Sequence, residues 1–245
     1  MITNIVLDVI CCRIVVRKRR KKTIRMAYLE FITKVHTSTK RDYLGRVNAH
    51  DKAACAEIAS QFGKDYWDGE RHLGYGGYRY DGRWRPVAEA MVKHYGIEPG
   101  MSILDVGCGK GFLLYEFTQV VPGVKVCGID ISQYAVENAK EEVRPFLSVH
   151  PAQSLPFADH SFDLVVSLNA LHNLPNYDLH HALKEIERVG RSKKYIVIES
   201  FRNEREKVNL LYWQLTCRSF YSPQEWEWMF SQAGYGGDYG CIFFE

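Results

Sequence analysis

The sequence predicts an open, doubly wound α/β fold built on a mostly parallel sheet, and three observations predict it. An apolar run, Ile103-Leu104-Asp105-Val106, passes directly into glycines at alternate positions, Gly107, Gly109 and Gly111, which open a helical segment. A second apolar run, Val126 to Ile129, ends at an acid, Asp130, nineteen residues after Gly111. Beyond residue 100, short apolar runs then alternate with helix-length segments, the order that a parallel sheet with crossover helices requires. Strand, glycine loop, helix, strand and acid together form the opening unit of a nucleotide-binding sheet, in which a carboxylate at the end of the second strand meets ribose hydroxyls.

The elements follow in chain order. Asp51 starts a helix to about Phe62, stopped by Gly63. Residues 66–84 hold glycines too frequently for a helix or strand and read as a Tyr/Gly-rich loop. Pro86 suits the first turn of a helix reaching Tyr95, with Val87, Ala90, Met91 and His94 along one side and Gly96 as its stop. Strands follow at 103–106, 124–129, 146–149, 162–168 and 195–198, the last ending at Glu199. Between them lie helices from Phe112 to Val120, from an N-cap at Ser132 to about Val143, and from Asp178 to Val189. Helices at 205–216 and 223–232 and one apolar run, Cys241 to Phe244, close the chain. The domain reading is an N-terminal extension over 1–49, a helix plus lid over 50–84, and a core over 85–245 with an inserted substrate cap at 201–222.

Composition is globular, with 46% hydrophobic and 25% charged residues. The net charge of +3 hides an asymmetry: residues 1–26 hold eight Lys/Arg against one acid, leaving 24 against 28 beyond. A body of that sign offers no basic face for phosphates, so no nucleic-acid partner is expected. Seven cysteines show no CxxC or Cys/His ligand spacing, which implies no metal and fits small buried residues in a reducing cytoplasm. Ile5 to Val16 contains Asp8 and Arg13 and is too short for a stable membrane span, and the basic run 17–22 follows it where a secretory signal has its charges first. The segment reads as a membrane-surface anchor, a nucleic-acid tail or, the favoured reading, upstream translated sequence with Met26 as the working start. Residues 1–25 are therefore expected to be dispensable.

The glycine spacing is GxGxG with an acid two positions before the first glycine, one residue short of the dinucleotide pattern GxGxxG. In this form Asp105-Val106-Gly107-Cys108-Gly109-Lys110-Gly111 resembles the loop of the class I S-adenosylmethionine (SAM)-dependent methyltransferases. Leu155-Pro156-Phe157-Ala158-Asp159-His160-Ser161-Phe162-Asp163-Leu164-Val165 is similar to the same family's segment before the fourth strand. The resemblance spans about 85–245 and implies a Rossmann-like fold and SAM as cofactor. It places Asp105, Gly107, Gly109 and Gly111 at the methionine end of SAM, and Asp130 with Ile131 at the ribose. Relatives often hold the adenine amino group with an acid just before Ala152, whereas this chain has His150-Pro151, so adenine recognition passes to Gln153 and Ser154 or to nearby backbone.

Ligands in such sheets sit at the carboxyl ends of the strands, so Asn169, His172 and Asn173 fall where acceptor and SAM methyl group meet. The sequence there is not Asn-Pro-Pro-Tyr, which argues against methylation of exocyclic base nitrogens or glutamine side chains. His172 reads as a general base or a pocket-shaping loop histidine, and Glu199 as a base or an ion-pair residue. In the lid, Tyr75, Tyr78 and Trp84 exclude water while Arg71, Arg79 or Arg83 clamps the SAM carboxylate or an anionic substrate; the alternative is a surface loop whose aromatics pack on the core. The expected reaction is methyl transfer to a small molecule, oxygen favoured over nitrogen or carbon. A non-catalytic SAM-binding module and a nicotinamide-dependent oxidoreductase stay open beside it. The resemblance also implies two strands after the last helix. This chain has room for one, so its sheet edge is expected to be short and a candidate for cover by the partner of a homodimer.

Overall fold

The computed structural model describes residues 26–37 and 41–245. The expectations for residues 1–25 lie outside the described residues. A first group of helices, α1 (Thr33–Thr37), α2 (Tyr43–Ala49), α3 (Lys52–Ala59) and α4 (Lys64–Asp68), precedes α5 (Arg85–Tyr95). Then come β1 (Ser102–Val106), α6 (Phe112–Val120), β2 (Lys125–Asp130), α7 (Gln133–Glu137), β3 (Leu147–Val149) and β4 (Phe162–Leu168). The chain ends with α8 (Asn176–Val189), β5 (Gly190–Glu199), α9 (Glu204–Trp213), α10 (Pro223–Ala233) and β6 (Asp238–Ile242). The strands form one parallel sheet in the order β3-β2-β1-β4-β5-β6, so the α/β doubly wound fold is as expected.

Strand residues alternate between two apolar layers because both faces of the sheet are covered. Ile103, Leu164, Val166, Tyr195 and Val197 pack with α5 and α6 on one side. Leu104, Val165, Ile196 and Ile198 pack with α8 and α10 on the other. Strand order reverses between β2-β1 and β4, and the pairing sets Asp105 level with Gly128 and Val166 at that crevice. Asp105 is thereby placed among the strand ends, where ligands of such sheets bind.

Strand β5 begins at Gly190 and β6 at Asp238, ahead of the runs 195–198 and 241–244, and four further departures from expectation occur. The buried ridge of α5 is Val87, Ala88, Met91 and Tyr95, an i, i+4, i+8 row, and His94 of the expected face is exposed. The helix after Ser132 stops at Glu137, because the chain turns back for Lys140 N–H to donate to Lys110 O at 2.9 Å. Running into the expected loop, Lys64–Asp68 forms a helical turn that buries Trp67. The last is the sheet edge. A single strand does follow α10, and this chain's own N-terminal residues cover its edge at Tyr239: Leu29 N–H donates to Tyr239 O at 2.8 Å and Tyr239 N–H to Ala27 O at 3.0 Å. Phe31 stacks edge-on against Tyr195 at 5.0 Å, and Ile32 is 4% exposed within the core.

This strap yields a prediction. Truncation through Ile32 uncovers the β6 edge and removes two apolar anchors, each worth about 1.5–3 kcal/mol. The melting temperature is expected to fall by roughly 5–15 °C relative to a chain starting at Met26. Equal melting temperatures for the two would show that the strap is not structural. Among the described residues no helix is long and apolar enough to cross a membrane.

Candidate active site

The glycine loop turns tightly between β1 and α6. Gly107 has φ +83°, and a Cβ there would lie 2.2 Å from the Ala170 Cβ, so only glycine lets the loop pass beneath the strand-four loop. The loop is tied to β2: Gly109 N–H donates to Asp130 Oδ2 at 2.7 Å, and Ser132 N–H donates to Asp130 Oδ1 at 2.8 Å. Each Asp130 oxygen keeps a further lone pair for a ligand hydroxyl. Asp105 is 4% exposed, and burial with the nearby Asp130 charge pushes its carboxyl up to about 8. Its Oδ1 is buried with no hydrogen-bond partner among the described residues.

These groups line a pocket of about 230 Å³. Ile131, His150, Pro151 and Gln153 wall the end beyond Asp130, and Asn169 and Asn173 stand at the other end. Gly111 and Ser154, both expected at the cofactor, are not on this wall: Gly111 caps α6, and Ser154 is exposed with its N–H on Pro151 O at 3.4 Å. The roof is aromatic. Tyr75 stacks on Trp67 with centroids 5.2 Å apart, and Tyr78 stacks on Phe112 at 5.0 Å. An apolar, aromatic cavity with an unpaired carboxyl suits a cationic ligand, and the ammonium and sulfonium of SAM provide that charge.

Several site residues escaped the sequence reading. Trp67 Nε1 donates to Phe62 O at 3.0 Å and to Ser132 Oγ at 2.9 Å, locking α4 over the pocket. Lys110, between two of the glycines, donates to both oxygens of Asp68 at 2.8 and 2.7 Å, and Tyr134 Oη donates to the same carboxylate at 2.8 Å. A lysine within the loop was a visible signal, but nothing in the sequence pairs it with an acid 42 residues earlier. Gly109→Val is expected to abolish cofactor binding and lower the melting temperature. A Cβ at Gly109 would lie 2.8 Å from Trp67 Cη2, so the collision is with the roof. Retained affinity by calorimetry would show that the roof shifts freely.

A second cavity of about 240 Å³ adjoins the first across Tyr66, Tyr75, Tyr78, Trp84, Asn169 and Asn173. Asn169 has φ +59° at the end of β4, a left-handed conformation that Asn tolerates better than most residues. Its Oδ1 is a second buried acceptor without a partner among the described residues, and Glu199 Oε2 is a third. Gln214 Nε2 donates to the other Glu199 oxygen, and Glu199 N–H donates to His172 Nδ1 at 3.4 Å. With Nδ1 accepting, Nε2 carries the proton and faces Glu199 Oε2 at 3.4 Å, so both ring nitrogens turn toward Glu199. Burial lowers the His172 pKa to about 3 and pushes the Glu199 carboxyl up to about 8. Arg79 and Trp84 line this second cavity, as does Trp213 of the 201–222 segment; Tyr212 does not. Among the described residues no cluster of metal-ligating side chains occurs.

Sheet order, glycine loop and acid-lined pocket define a class I methyltransferase fold with a site for SAM. The methyltransferase-domain family profile matches residues 97–234, and the chain belongs to that family, whose methyl donor is SAM. The chain is 34% identical over 133 residues to the ubiquinone/menaquinone biosynthesis C-methyltransferase UbiE of Geotalea uraniireducens, covering 51% of this chain and 54% of the relative. It is 37% identical over 111 residues to a demethylmenaquinone methyltransferase of Staphylococcus aureus, covering 43% and 44%. The chain thus spans about half the length of the curated relatives it matches. Among solved structures, the YcgJ protein of Bacillus subtilis superposes with a TM-score of 0.50 at 24% identity over 60% of this chain and 66% of its own. A Haloferax volcanii protein solved with the Trm112 methyltransferase activator gives 0.52 at 23% identity over 80% and 77%. Both show the fold.

Proposed function

We propose that the protein transfers the methyl group of SAM to a small-molecule acceptor held in the second cavity, with an oxygen atom as acceptor. The observation that carries this is the alignment of unpartnered buried acceptors, Asp105 Oδ1, Asn169 Oδ1 and Glu199 Oε2, along two adjoining cavities. Buried polar atoms are normally paired, so Asp105 Oδ1 and Asn169 Oδ1 are places for ligand donors, and Glu199 Oε2, which meets the His172 imidazole at 3.4 Å without a hydrogen bond, keeps lone pairs for one. When bound, SAM supplies an electrophilic methyl group on a good leaving group. Asp105 then holds the methionyl ammonium, Asp130 the ribose hydroxyls, and the backbone near Gln153 the adenine edge.

The chain's remaining tasks are to align the acceptor, exclude water and take a proton. Alignment accounts for up to ~7–11 kcal/mol of such a barrier, and a base contributes about 10²–10⁴-fold. His172 is a poor proton acceptor at neutral pH because its pKa is about 3, and its nitrogens face Glu199. Glu199, at about 8, is matched to removing a hydroxyl proton. Glu199 is accordingly assigned the base, His172 its positioning, and the Tyr75/Tyr78/Trp84 roof the exclusion of water. The name of one relative, a C-methyltransferase, favours a second acceptor atom, a carbon activated by a neighbouring hydroxyl that would give up its proton to the same base. The test is release of S-adenosylhomocysteine (SAH) with a panel of hydroxylated, amino and carboxylate compounds, followed by carbon-13 NMR of the transferred methyl group. An oxygen-bound methyl supports the reading, a carbon-bound one selects the second acceptor, and SAH binding without turnover of any compound would indicate a binding module.

A further inference from the structure

The second cavity is cationic in a way that methyl transfer alone does not require. Arg41, Arg46 and Arg71 come from three places in the chain: the segment before α2, α2 itself and the lid. All converge on one indole, with guanidinium carbons 5.4, 4.7 and 5.1 Å from the Trp213 ring centroid. All three line the cavity beside Glu199.

Neither Arg46 nor Arg71 has a carboxylate within ion-pair distance among the described residues. Their bonds go to main-chain carbonyls, Arg46 to Arg71 O at 3.3 Å and His72 O at 3.1 Å, and Arg71 to Gly74 O, which leaves most of their N–H donors unused. Arg79 also lines the cavity and makes no hydrogen bond or ion pair among the described residues. Arg83, by contrast, is already neutralised by Asp81, with Nε 2.9 and 2.8 Å from the two carboxylate oxygens. Among the described residues the only carboxyl lining this cavity is Glu199, which burial pushes up to about 8 and so keeps largely protonated at neutral pH.

Like charges drawn together in a partly desolvated cavity repel one another unless an anion compensates them. Stacking on Trp213 holds the Arg46 and Arg71 guanidiniums in place without neutralising them. Among the described residues no arginine or lysine lines the pocket around Asp105 and Asp130, so the cations are gathered in the second cavity and not in the pocket assigned to the donor. The Arg cluster belongs to the acceptor's side of Asn169 and Tyr75.

We propose that the methyl acceptor carries an oxyanion group, a carboxylate or phosphate, which docks on Arg46 and Arg71 against Trp213 while its reacting hydroxyl faces Glu199. This rests on the methyltransferase reading and names the substrate class it leaves open. Planar guanidiniums pair with either oxyanion through paired N–H donors, and a cavity of about 240 Å³ restricts the acceptor to a compact molecule.

The test uses the full chain saturated with SAH. Isothermal titration compares matched probes: 4-hydroxybenzoate against 4-hydroxybenzamide, and phenyl phosphate against phenol. The charged member of a pair is expected to bind at least about tenfold more tightly, the ratio that one charge-assisted hydrogen bond supports. The pair with the larger ratio identifies carboxylate or phosphate. In the double variant Arg46→Met, Arg71→Met the ratio is expected to fall to about one while SAH affinity stays within a few-fold, and the matching lysine double variant recovers part of it. Retained SAH affinity certifies that the variants are folded. Neutral probes binding as tightly as charged ones, a preference surviving in the methionine variant, or no charge-dependent binding at millimolar probe would each overturn the proposal. Loss of SAH affinity together with the preference would assign the cluster to the donor's carboxylate and overturn it too. Failure of the wild-type chain to bind SAH would instead bring down the methyltransferase reading on which the proposal stands.

Discussion

Asp130→Ala is expected to weaken SAH binding by about two to four orders of magnitude, measured by calorimetry. Two ribose hydroxyls donating to a carboxylate contribute ~1.5–3 kcal/mol each, and both are lost at once. The same substitution removes the acceptor for Gly109 N–H and Ser132 N–H, so the glycine loop loses its tie to β2 along with its ligand. Asp130→Asn separates the two effects, since an amide oxygen keeps one acceptor and one of these ties. A dissociation constant unchanged in Asp130→Ala would remove this residue from the cofactor site.

Glu199→Gln is expected to lower kcat by about 10²–10⁴-fold with little change in SAH affinity. The wild-type rate should rise with pH through about 8, because the base acts only once its proton has left, and the variant should lose that rise. The stability linkage runs the opposite way. Burial raises the folded carboxyl from 4.5 to about 8, so its stabilisation is complete below the ordinary carboxylate range and is lost as pH rises through about 8. The variant should therefore melt higher than wild type at pH 9 relative to their order at pH 6. His172→Ala should lower kcat less than Glu199→Gln and move the pH profile, as a positioning residue does. A pH profile and kcat in Glu199→Gln equal to wild type would leave alignment alone to account for the rate.

Much of this architecture is legible in the sequence because its determinants are short-range. Glycines at alternate positions after an apolar run dictate a turn that few other residues can make, and the acid ending the next run follows from strand length and crossover length. Period and caps place α5, α8 and α10 within a residue or two for the same reason. The N-cap at Ser132 is confirmed by its Oγ accepting from Ala135 N–H at 3.0 Å. Even the single closing strand was readable, from the number of residues left after Gly234.

What the sequence could not show depends on segments that meet only in the folded chain. Lys110 and Asp68 become a latch, and Trp67 a roof, because α4 lies across the glycine loop. The strap of residues 27–32 covers β6 although more than two hundred residues separate them. In sequence His172 reads equally as a base, because an isolated imidazole titrates near neutrality, or as a pocket-shaping histidine; in the fold burial lowers its pKa to about 3 and sets it against Glu199, whose own proton affinity burial raises. Ionisation is set by the dielectric and the neighbours that tertiary packing brings to a group, and residue type states only the starting value. The three arginines around Trp213 make the same point. Along the chain they are separate charges on a loop, a helix and a lid; their joint field exists only where the fold gathers them around one ring.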